Sequence, residues 1–390
     1  MPKNIVILLD GTSNQISADR TNILRLYGSL TKSEQQLVYY DPGVGTLGAE
    51  RSWLGLWRKT VELWGMATGF GMDQNVKEAY RFLVENFEFE RSTATSTGWQ
   101  DQIYICGFSR GAYSARVLAG FLRAFGVMEK RNLNLLDYAY RAYKRIGTKD
   151  STWGEINLFS KTLRPYPPSV RFLGLFDTVS SVIESGRYRP QLKNHAHTDH
   201  NSSVESVRHA VAIHEKRIMF RPCLWPMGQS YRPSKFHTNN EYPQDAREVW
   251  FTGVHADVGG GYPEAQSALA KEALVWMIDQ AGAQGLAFNT ATVNQLVRGT
   301  PQKGNRKQYT PPSPFGMKHN SMNLAWAVLE FLPAFKPKAS SRKRVFGVTI
   351  PLFEPRRIPP GARIHRSVFE RGASYRDRPT TIPSQFETED

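Results

Sequence analysis

The chain has 390 residues, of which 40% are hydrophobic and 22% are charged. This composition excludes a disordered chain and a coiled coil, and it allows one large α/β domain or two smaller ones. The formal net charge of +15 and the pI of about 9.7 favour contact with polyanions, such as nucleic acid, phospholipid headgroups or acidic proteins, without choosing among them.

The cysteine content and the N-terminal sequence indicate the cellular compartment in which the protein is made. Two cysteines, Cys106 and Cys223, cannot build a disulfide framework or a cysteine-type zinc site, and Cys106 lies in an apolar run that predicts burial. Residues 4–10 (NIVILLD) are too short for a signal-peptide core. No run of about 18 uncharged apolar residues predicts a transmembrane helix. We therefore expect synthesis as a soluble cytoplasmic protein, whose export would need a route that reads no signal peptide.

Five short apolar runs, rich in β-branched residues, stop abruptly at a polar residue or a glycine. Runs of this length and composition are typical of strands buried on both faces of a parallel sheet. They cover residues 5–10, 37–41, 103–109, 170–177 and 249–255.

Helical patterns separate these runs. Thr21 is a suitable N-cap for the first helix, and the second has five apolar side chains on one stripe. The helices are predicted over residues 22–30, 73–88, 112–125, 204–218 and 268–281. Strands that alternate with helices predict an α/β fold, with a mostly parallel sheet and helices on both faces.

The domain organisation is predicted from the absence of an internal repeat or a clean linker. We expect a single domain over residues 1–375, with insertions at about residues 42–72, 185–203 and 299–345. The polar residues 376–390 predict a C-terminal tail that frays.

Two segments within the insertions have a distinctive composition. Residues 51–70 hold three tryptophans beside arginine and lysine, which suits a lid or an interfacial helix as well as an ordinary buried helix. Residues 336–344 (KPKASSRKR) suit a solvated loop, or contact with a membrane or another polyanion.

Four of the five predicted strands end in residues that can take part in hydrolysis. The carboxyl ends of parallel strands meet at one edge of an open sheet, so we expect these residues to lie close together. They are Asp10-Gly11-Thr12, Ser109, Asp177 and His255.

Ser109 is the candidate nucleophile. It lies in Gly107-Phe108-Ser109-Arg110-Gly111, which fits the G-x-S-x-G pattern of a nucleophile elbow. The pattern has meaning only between a strand and a helix, and here QIYIC precedes it and AYSARVLAGFLRAF follows it. Gly107 and Gly111 would make room for a sharp turn that presents the hydroxyl at a helix N-terminus. A tight turn without chemistry is the alternative.

A serine nucleophile needs a base, and the base needs an orienting carboxylate. Asp177 and His255 fit the α/β-hydrolase order of serine, acid and histidine. Alternatively, Asp177 begins an Asx turn, and His255 is bonded within the glycine-rich GVHADVGGGY. Asp257 is the rival acid, although we expect it to hold the glycine loop. His365 is the rival base, with no clear strand before it.

The oxyanion of an acyl intermediate needs backbone N–H donors. We expect one from Arg110, the residue after the nucleophile, and a second from Gly11 or Thr12, in a loop that Asp10 would shape. The same LLDGT stretch is similar to the aspartyl-phosphatase signature D-x-D-G-T, but Leu8 stands where that chemistry needs a further aspartate.

Residues 195–200 (HAHTDH) match the H-x-H-x-D-H cluster that binds two metals in metallo-β-lactamase-type hydrolases. In those enzymes the cluster follows an apolar strand and precedes a glycine turn, whereas both flanks are polar here. We expect a histidine-bearing loop at the rim of the site, and neither a metal nor a cofactor. A metal-dependent hydrolase remains an alternative.

Longer pieces of the sequence resemble the uncharacterised α/β-hydrolase family that includes the phospholipase effectors of type VI secretion. The most specific pieces are GFSRGAYSAR and GVHADVGGGY. The supporting pieces are LLDGTSN, TNILRL, YYDPGVGT, GFGMDQNVKEAYRFL, GLFDTVSSV, HAVAIHEKRIMFRPCLW and IHRSVFER, so that the resemblance spans residues 5–371. It implies a serine hydrolase with the triad Ser109, Asp177 and His255, and phospholipase A activity. Against the family pattern, His214 replaces an acid, and the chain is shorter than many secreted effectors.

The leading hypothesis is therefore a serine-dependent carboxylic ester hydrolase that acts on a lipid or a small ester. An anionic membrane surface and an immunity or secretion protein are the candidate partners. The alternative is a non-catalytic basic module that binds anionic membranes or other polyanions. Nucleic-acid binding is not expected, because the sequence has no recognisable reader motif.

Overall fold

The structure is a computed structural model that describes residues 2–11, 20–43, 69–91, 98–146, 153–179, 183–185, 190–192, 195–233, 241–302, 304, 307–331, 334–335, 348–350, 352–371 and 381–390. The tryptophans of residues 51–70 and the basic residues 336–344 lie outside these ranges. Within them, no helix combines the length and the apolar composition needed to cross a membrane.

A parallel sheet of eight strands forms the centre of the fold. The strands in chain order are β1 (Asn4–Leu9), β2 (Gln36–Asp41), β3 (Gln102–Phe108), β4 (Val170–Phe176), β5 (Val204–Ala212), β6 (Asp245–Phe251), β7 (Ala362–His365) and β8 (Phe386–Glu389). Their order across the sheet is β8-β7-β6-β5-β4-β3-β1-β2, and each neighbouring pair is parallel. The five predicted runs are β1, β2, β3, β4 and β6, so the predicted α/β fold is confirmed.

Helices and short strand pairs connect and cover these strands. The helices are α1 (Asn22–Ser29), α2 (Gly69–Asn86), α3 (Arg110–Ala124), α4 (Leu136–Arg145), α5 (Gly154–Leu163), α6 (His255–Gly259), α7 (Ala268–Ala283), α8 (Thr290–Thr292), α9 (Leu324–Glu330) and α10 (Arg366–Arg371). Further helical turns lie at Lys130–Leu135, Ile218–Phe220, Glu264–Gln266 and Val293–Val297. The strand pairs outside the main sheet are Phe89–Glu90 with Trp99–Gln100, Ile183–Ser185 with Pro190–Leu192, Ser230–Tyr231 with Tyr242–Pro243, and Ala334–Phe335 with Val348–Thr349.

Strand β1 shows how the sheet is buried on both faces. Successive side chains of a strand point to opposite faces. Ile5 and Ile7 accordingly pack in one apolar cluster with α2, α3 and α4, whereas Val6 and Leu8 pack in another with α1 and α7. Helices on both faces leave the carboxyl edge of the sheet as the place where the strand-end residues meet.

The prediction of a helix over residues 204–218 is wrong, because residues Val204–Ala212 form strand β5 in the middle of the sheet. All but one of these residues are buried, which fits a strand that is covered on both faces. Its valines Val204, Val207 and Val211 are spaced by three and four residues, as on one face of a helix, and the buried Arg208 and His209 interrupt the apolar run that would have indicated a strand.

Two predictions about the C-terminal part also need correction. The frayed tail is wrong for residues Phe386–Glu389, since they form the edge strand β8. Their polar sequence is compatible with a strand because an edge strand leaves much of its surface exposed. His365, for which no preceding strand was expected, is the last residue of β7. A single domain over residues 1–375 with insertions stays a prediction.

Candidate active site

Ser109 lies on a sharp turn between β3 and α3. Its backbone has φ 58° and ψ −121°, a conformation that residues with a side chain rarely adopt. A Cβ atom on Gly107 would lie 2.5 Å from the carbonyl oxygen of Gly111, and one on Gly111 would overlap the carbonyl oxygens of Leu9 and Asp10. The two glycines therefore let α3 start directly against the ends of β1 and β3. This turn presents the Ser109 hydroxyl at the carboxyl edge of the sheet.

The ends of β4 and β6 bring the predicted acid and base to this serine. His255 is the first residue of α6, and its Nε2 lies 2.8 Å from Oγ of Ser109. Its Nδ1 lies 2.5 Å from Oδ2 of Asp177, which follows β4 with a left-handed φ of 39°. The three side chains are thus connected by hydrogen bonds in the order serine, histidine, aspartate.

Asp177 is fully buried but has strong hydrogen-bond donors around it. Its Oδ1 accepts the backbone N–H of Ala212 at 2.9 Å, and Arg356 donates to Oδ1 at 2.5 Å and to Oδ2 at 2.9 Å. Burial by itself would raise the pKa of Asp177, but the charge of Arg356 and the hydrogen bond with His255 outweigh it and hold this pKa well below its usual range. An ionised Asp177 keeps the proton of neutral His255 on Nδ1 and leaves Nε2 as an acceptor.

The imidazole of His255 has aromatic neighbours. Its ring centroid lies 4.7 Å from that of Phe108 and 4.9 Å from that of Phe220, and its backbone N–H donates to Glu215. Burial lowers the pKa of His255, and the hydrogen bond with Asp177 opposes this shift only in part. His255 is therefore neutral near pH 7 and can accept a proton from Ser109.

The predicted oxyanion donors lie at the start of α3 and the end of β1. Arg110 is the first residue of α3. Asp10 accepts the backbone N–H of Gly11 at 2.7 Å and the hydroxyl of Thr21 at 2.5 Å, so its carboxylate fixes the backbone after β1. The Gly11 N–H is therefore engaged with Asp10 in this structure, and Thr12 lies outside the described residues.

The rival acid and base take part in other contacts. Asp257 accepts the backbone N–H of Val254 at 3.0 Å and lies 2.6 Å from Nδ1 of His319, so it holds the turn that precedes His255. The ring of His365 stacks on Phe251 with a centroid distance of 4.5 Å. Burial lowers the pKa of His365 to about 4.

The histidines of residues 195–200 point into different surroundings. Nδ1 of His195 lies 3.3 Å from the hydroxyl of Tyr113, whereas the ring of His197 packs against Trp153 at a centroid distance of 5.5 Å. In the part of the chain that the structure describes, no three histidine, cysteine, aspartate or glutamate side chains are grouped to hold a metal ion.

Two residues that the sequence analysis did not identify support the candidate acid Asp177. Arg356 is only 1% exposed and holds both carboxylate oxygens of Asp177, although it follows that residue by 179 positions. Nε2 of His209 on β5 accepts the backbone N–H of Thr178 at 3.1 Å, and its Nδ1 lies 2.9 Å from Glu248. No local pattern marks Arg356 within PRRIPP, and His209 lies in the stretch that was predicted as a helix.

Comparison with known proteins gives one family and several relatives. The family model described as "T6SS, Phospholipase effector Tle1-like, catalytic domain" matches residues 3–280. The uncharacterized protein YEL023C of Saccharomyces cerevisiae is 35% identical over 250 residues, which are 60% of this chain and 34% of that protein. The chain thus spans about a third of the length of this curated relative.

Two solved structures are more distantly similar. An uncharacterized protein from Pseudomonas aeruginosa is 20% identical, with a TM-score of 0.38, over 74% of this chain and 46% of that one. The Tle1 effector bound to the VgrG spike of the type 6 secretion system is 21% identical, with a TM-score of 0.35, over 69% of this chain and 52% of that one.

Proposed function

Because the chain belongs to the family of Tle1-like phospholipase effector catalytic domains, we propose that it is a serine hydrolase that cleaves carboxylic ester bonds of phospholipids. Family membership supports a lipid hydrolase in general terms. The observation that carries the finer proposal is the 2.8 Å distance between Oγ of Ser109 and Nε2 of His255, with Asp177 on the other ring nitrogen.

The proposed reaction has two steps. In the first, His255 accepts the proton of Ser109, whose Oγ attacks the ester carbonyl carbon, while Asp177 stabilises the imidazolium that forms. The ester C–O bond then breaks, and His255 returns the proton to the departing lysophospholipid alcohol. In the second, His255 takes a proton from water, which attacks the acyl-enzyme and releases the fatty acid and the Ser109 hydroxyl.

The oxyanion of each tetrahedral intermediate needs donors at the end of β1 and the start of α3. We assign the first to the backbone N–H of Arg110, where the helix dipole also favours negative charge. The second comes from Gly11 or Thr12. If it is Gly11, its N–H gives up its hydrogen bond to the carboxylate of Asp10 and donates to the oxyanion instead.

The side chain of Arg110 supports a phospholipid over a neutral ester. It follows the nucleophile directly, and burial lowers the pKa of its guanidinium to about 10. A cation that has lost part of its hydration is stabilised by an anionic ligand, and a guanidinium matches the geometry of a phosphate. The net charge of +15 favours an anionic lipid surface in the same way.

We also propose a secretion protein as a partner, because the matching family model is described as the catalytic domain of a type VI secretion phospholipase effector. The Tle1 effector has been solved in complex with the VgrG spike. A spike protein from the same organism should therefore co-elute with this chain in gel filtration, and separate elution of the two would count against this partner.

A fluorophosphonate probe and a fatty-acid release assay test the catalytic proposal. We expect the folded wild type to be labelled and to release fatty acid from phospholipid vesicles faster than from vesicles that contain a neutral diacylglycerol. Ser109→Ala should abolish labelling and lower release by at least about 1,000-fold. Ser114→Ala, a buried serine one turn further along α3, is the matched control and should keep both. A folded wild type that is not labelled would refute Ser109 as the nucleophile.

A further inference from the structure

Helix α9 borders the catalytic histidine. The ring of Trp326 lies 5.5 Å from that of Phe220, which in turn lies 4.9 Å from the imidazole of His255. Glu330, one turn after Trp326, accepts the backbone N–H of Ile218 at 2.7 Å. The inner face of α9 is therefore fixed to the wall of the active site.

The outer face of α9 is apolar and exposed. Leu324, Val328 and Phe331 follow one another at spacings of four and three residues, which places them on one side. They are 84%, 54% and 58% exposed, whereas Trp326 and Glu330 on the other side are 8% and 1% exposed. A surface helix normally turns its apolar stripe to the core, so the outer stripe of α9 is suited to a partner outside the domain.

Charge and neighbouring apolar residues indicate the chemistry of that partner. Phe315 and Met317 are 71% and 59% exposed on the segment that leads to α9. In the sequence, Phe331 is soon followed by residues 336–344, of which five are lysine or arginine, and the whole chain carries a net charge of +15. Apolar side chains beside cations are typical of helices that lie in the headgroup region of anionic membranes.

We propose that Leu324, Val328 and Phe331 form a docking surface for an anionic phospholipid bilayer, which places the Ser109–His255 site at the membrane. The three apolar side chains enter the boundary between headgroups and acyl chains, while the net charge of +15 attracts the protein to the anionic surface. This inference rests on the proposed hydrolysis of phospholipids, because a lipid drawn from the bilayer would reach His255 past α9.

Vesicle sedimentation in a Ser109→Ala background separates binding from catalysis. The probe is a vesicle of phosphatidylcholine with phosphatidylglycerol, compared with a vesicle of phosphatidylcholine alone. Leu324→Ser with Val328→Ser should weaken binding to the anionic vesicle by about tenfold or more, because both apolar side chains lose their burial in the membrane. Leu158→Ser is the matched control, since Leu158 is 65% exposed on α5, and it should bind as the parent does.

Activity of the same substitutions with Ser109 restored distinguishes the two proposals. The double variant should lose vesicle hydrolysis to the same extent as binding, while its kcat/KM for a soluble short-chain ester stays within about twofold of the wild type. Unchanged vesicle binding by the double variant would overturn the proposed membrane-docking surface and would indicate that this face of α9 binds a protein partner instead. An equal loss on the soluble ester would overturn it as well, since α9 would then be part of the site. A wild type that cleaves neither substrate refutes the hydrolase but not the binding result.

Discussion

At the scale of single residues, two members of the candidate site have unusual backbone conformations. Among the described residues, six other than glycine have a positive φ, and two of these are Ser109 and Asp177. A non-glycine residue in such a conformation costs about 1–3 kcal/mol, which the surrounding structure has to supply. Here the packed β3–α3 turn holds Ser109, and the ion pair with Arg356 holds Asp177. The proposed nucleophile and its proposed acid are thus set in place before a substrate binds.

Arg356 is a positioning residue whose charge should be visible in the pH dependence of activity. The proposed reaction needs neutral His255, so activity should fall as the pH drops through the apparent pKa of the Asp177–His255 pair. Arg356 lowers the pKa of Asp177, and its positive charge next to this carboxylate also opposes the addition of a proton to the pair as a whole. In Arg356→Met, the acid limb of the profile of kcat/KM against pH should therefore move up by about one unit or more. The maximum should also drop roughly 10–100-fold as Asp177 loses its orientation.

Two further variants separate this charge effect from a loss of packing. Arg356→Lys retains the positive charge, so its acid limb should stay close to that of the wild type. Arg25→Met removes another buried arginine, one that pairs with Glu264 rather than with Asp177, and it should lower stability without moving the acid limb. If Arg356→Met kept the wild-type limb, Arg356 would have only a structural role.

At the scale of elements, the site depends on how closely the β3–α3 turn approaches β1. Gly111→Ala would push a methyl group into the carbonyl oxygens of Leu9 and Asp10, which belong to the backbone and cannot rotate away. We expect the free energy of unfolding to fall by about 2–3 kcal/mol, and the displaced Ser109 to lose most of its activity. Urea unfolding and probe labelling measure the two effects.

Gly282→Ala is the matched control for this substitution. Gly282 lies near the end of α7, where an added Cβ would approach no atom more closely than 4.0 Å. The same chemical change should therefore stabilise the protein by about 0.4–1 kcal/mol and leave labelling intact. Equal behaviour of the two variants would contradict the close packing proposed for the elbow.

The elements also show what a sequence can predict and what it cannot. Strand ends are local signals, so the runs before Ser109, Asp177 and His255 predicted both the strands and the side chains that the structure brings together. Strand β5 was missed because its valines have the spacing of a helix face, and because its buried Arg208 and His209 are satisfied by partners on β6 that the local sequence does not reveal. Arg356 was missed because its role depends on a contact between distant parts of the chain, for which the sequence has no local pattern.

At the scale of the whole molecule, the region after residue 280, where the family match ends, completes both the sheet and the candidate site. It contributes Arg356, which pairs with Asp177, and helix α9, which lies at the rim of the candidate site. It also contributes the strands β7 and β8 at the edge of the sheet. Glu389 of β8 connects this edge to the rest of the sheet, since it accepts hydrogen bonds from Arg247 at 3.2 Å and from Arg363 at 3.1 Å.

Removal of residues 386–390 tests whether the last strand contributes to stability. Without it, Arg247, Arg363 and the indole N–H of Trp276 lose Glu389, and β7 becomes an unpaired edge. We expect the free energy of unfolding to fall by about 2–4 kcal/mol, since hydrogen bonds to a partly buried charge are among the stronger ones. Urea unfolding should show the loss as a lower midpoint. Removal of Asp390 alone is the control, because this residue is 91% exposed and its loss should change stability little. If both truncations left the midpoint unchanged, the C-terminal residues would fray in solution, as their polar sequence predicts.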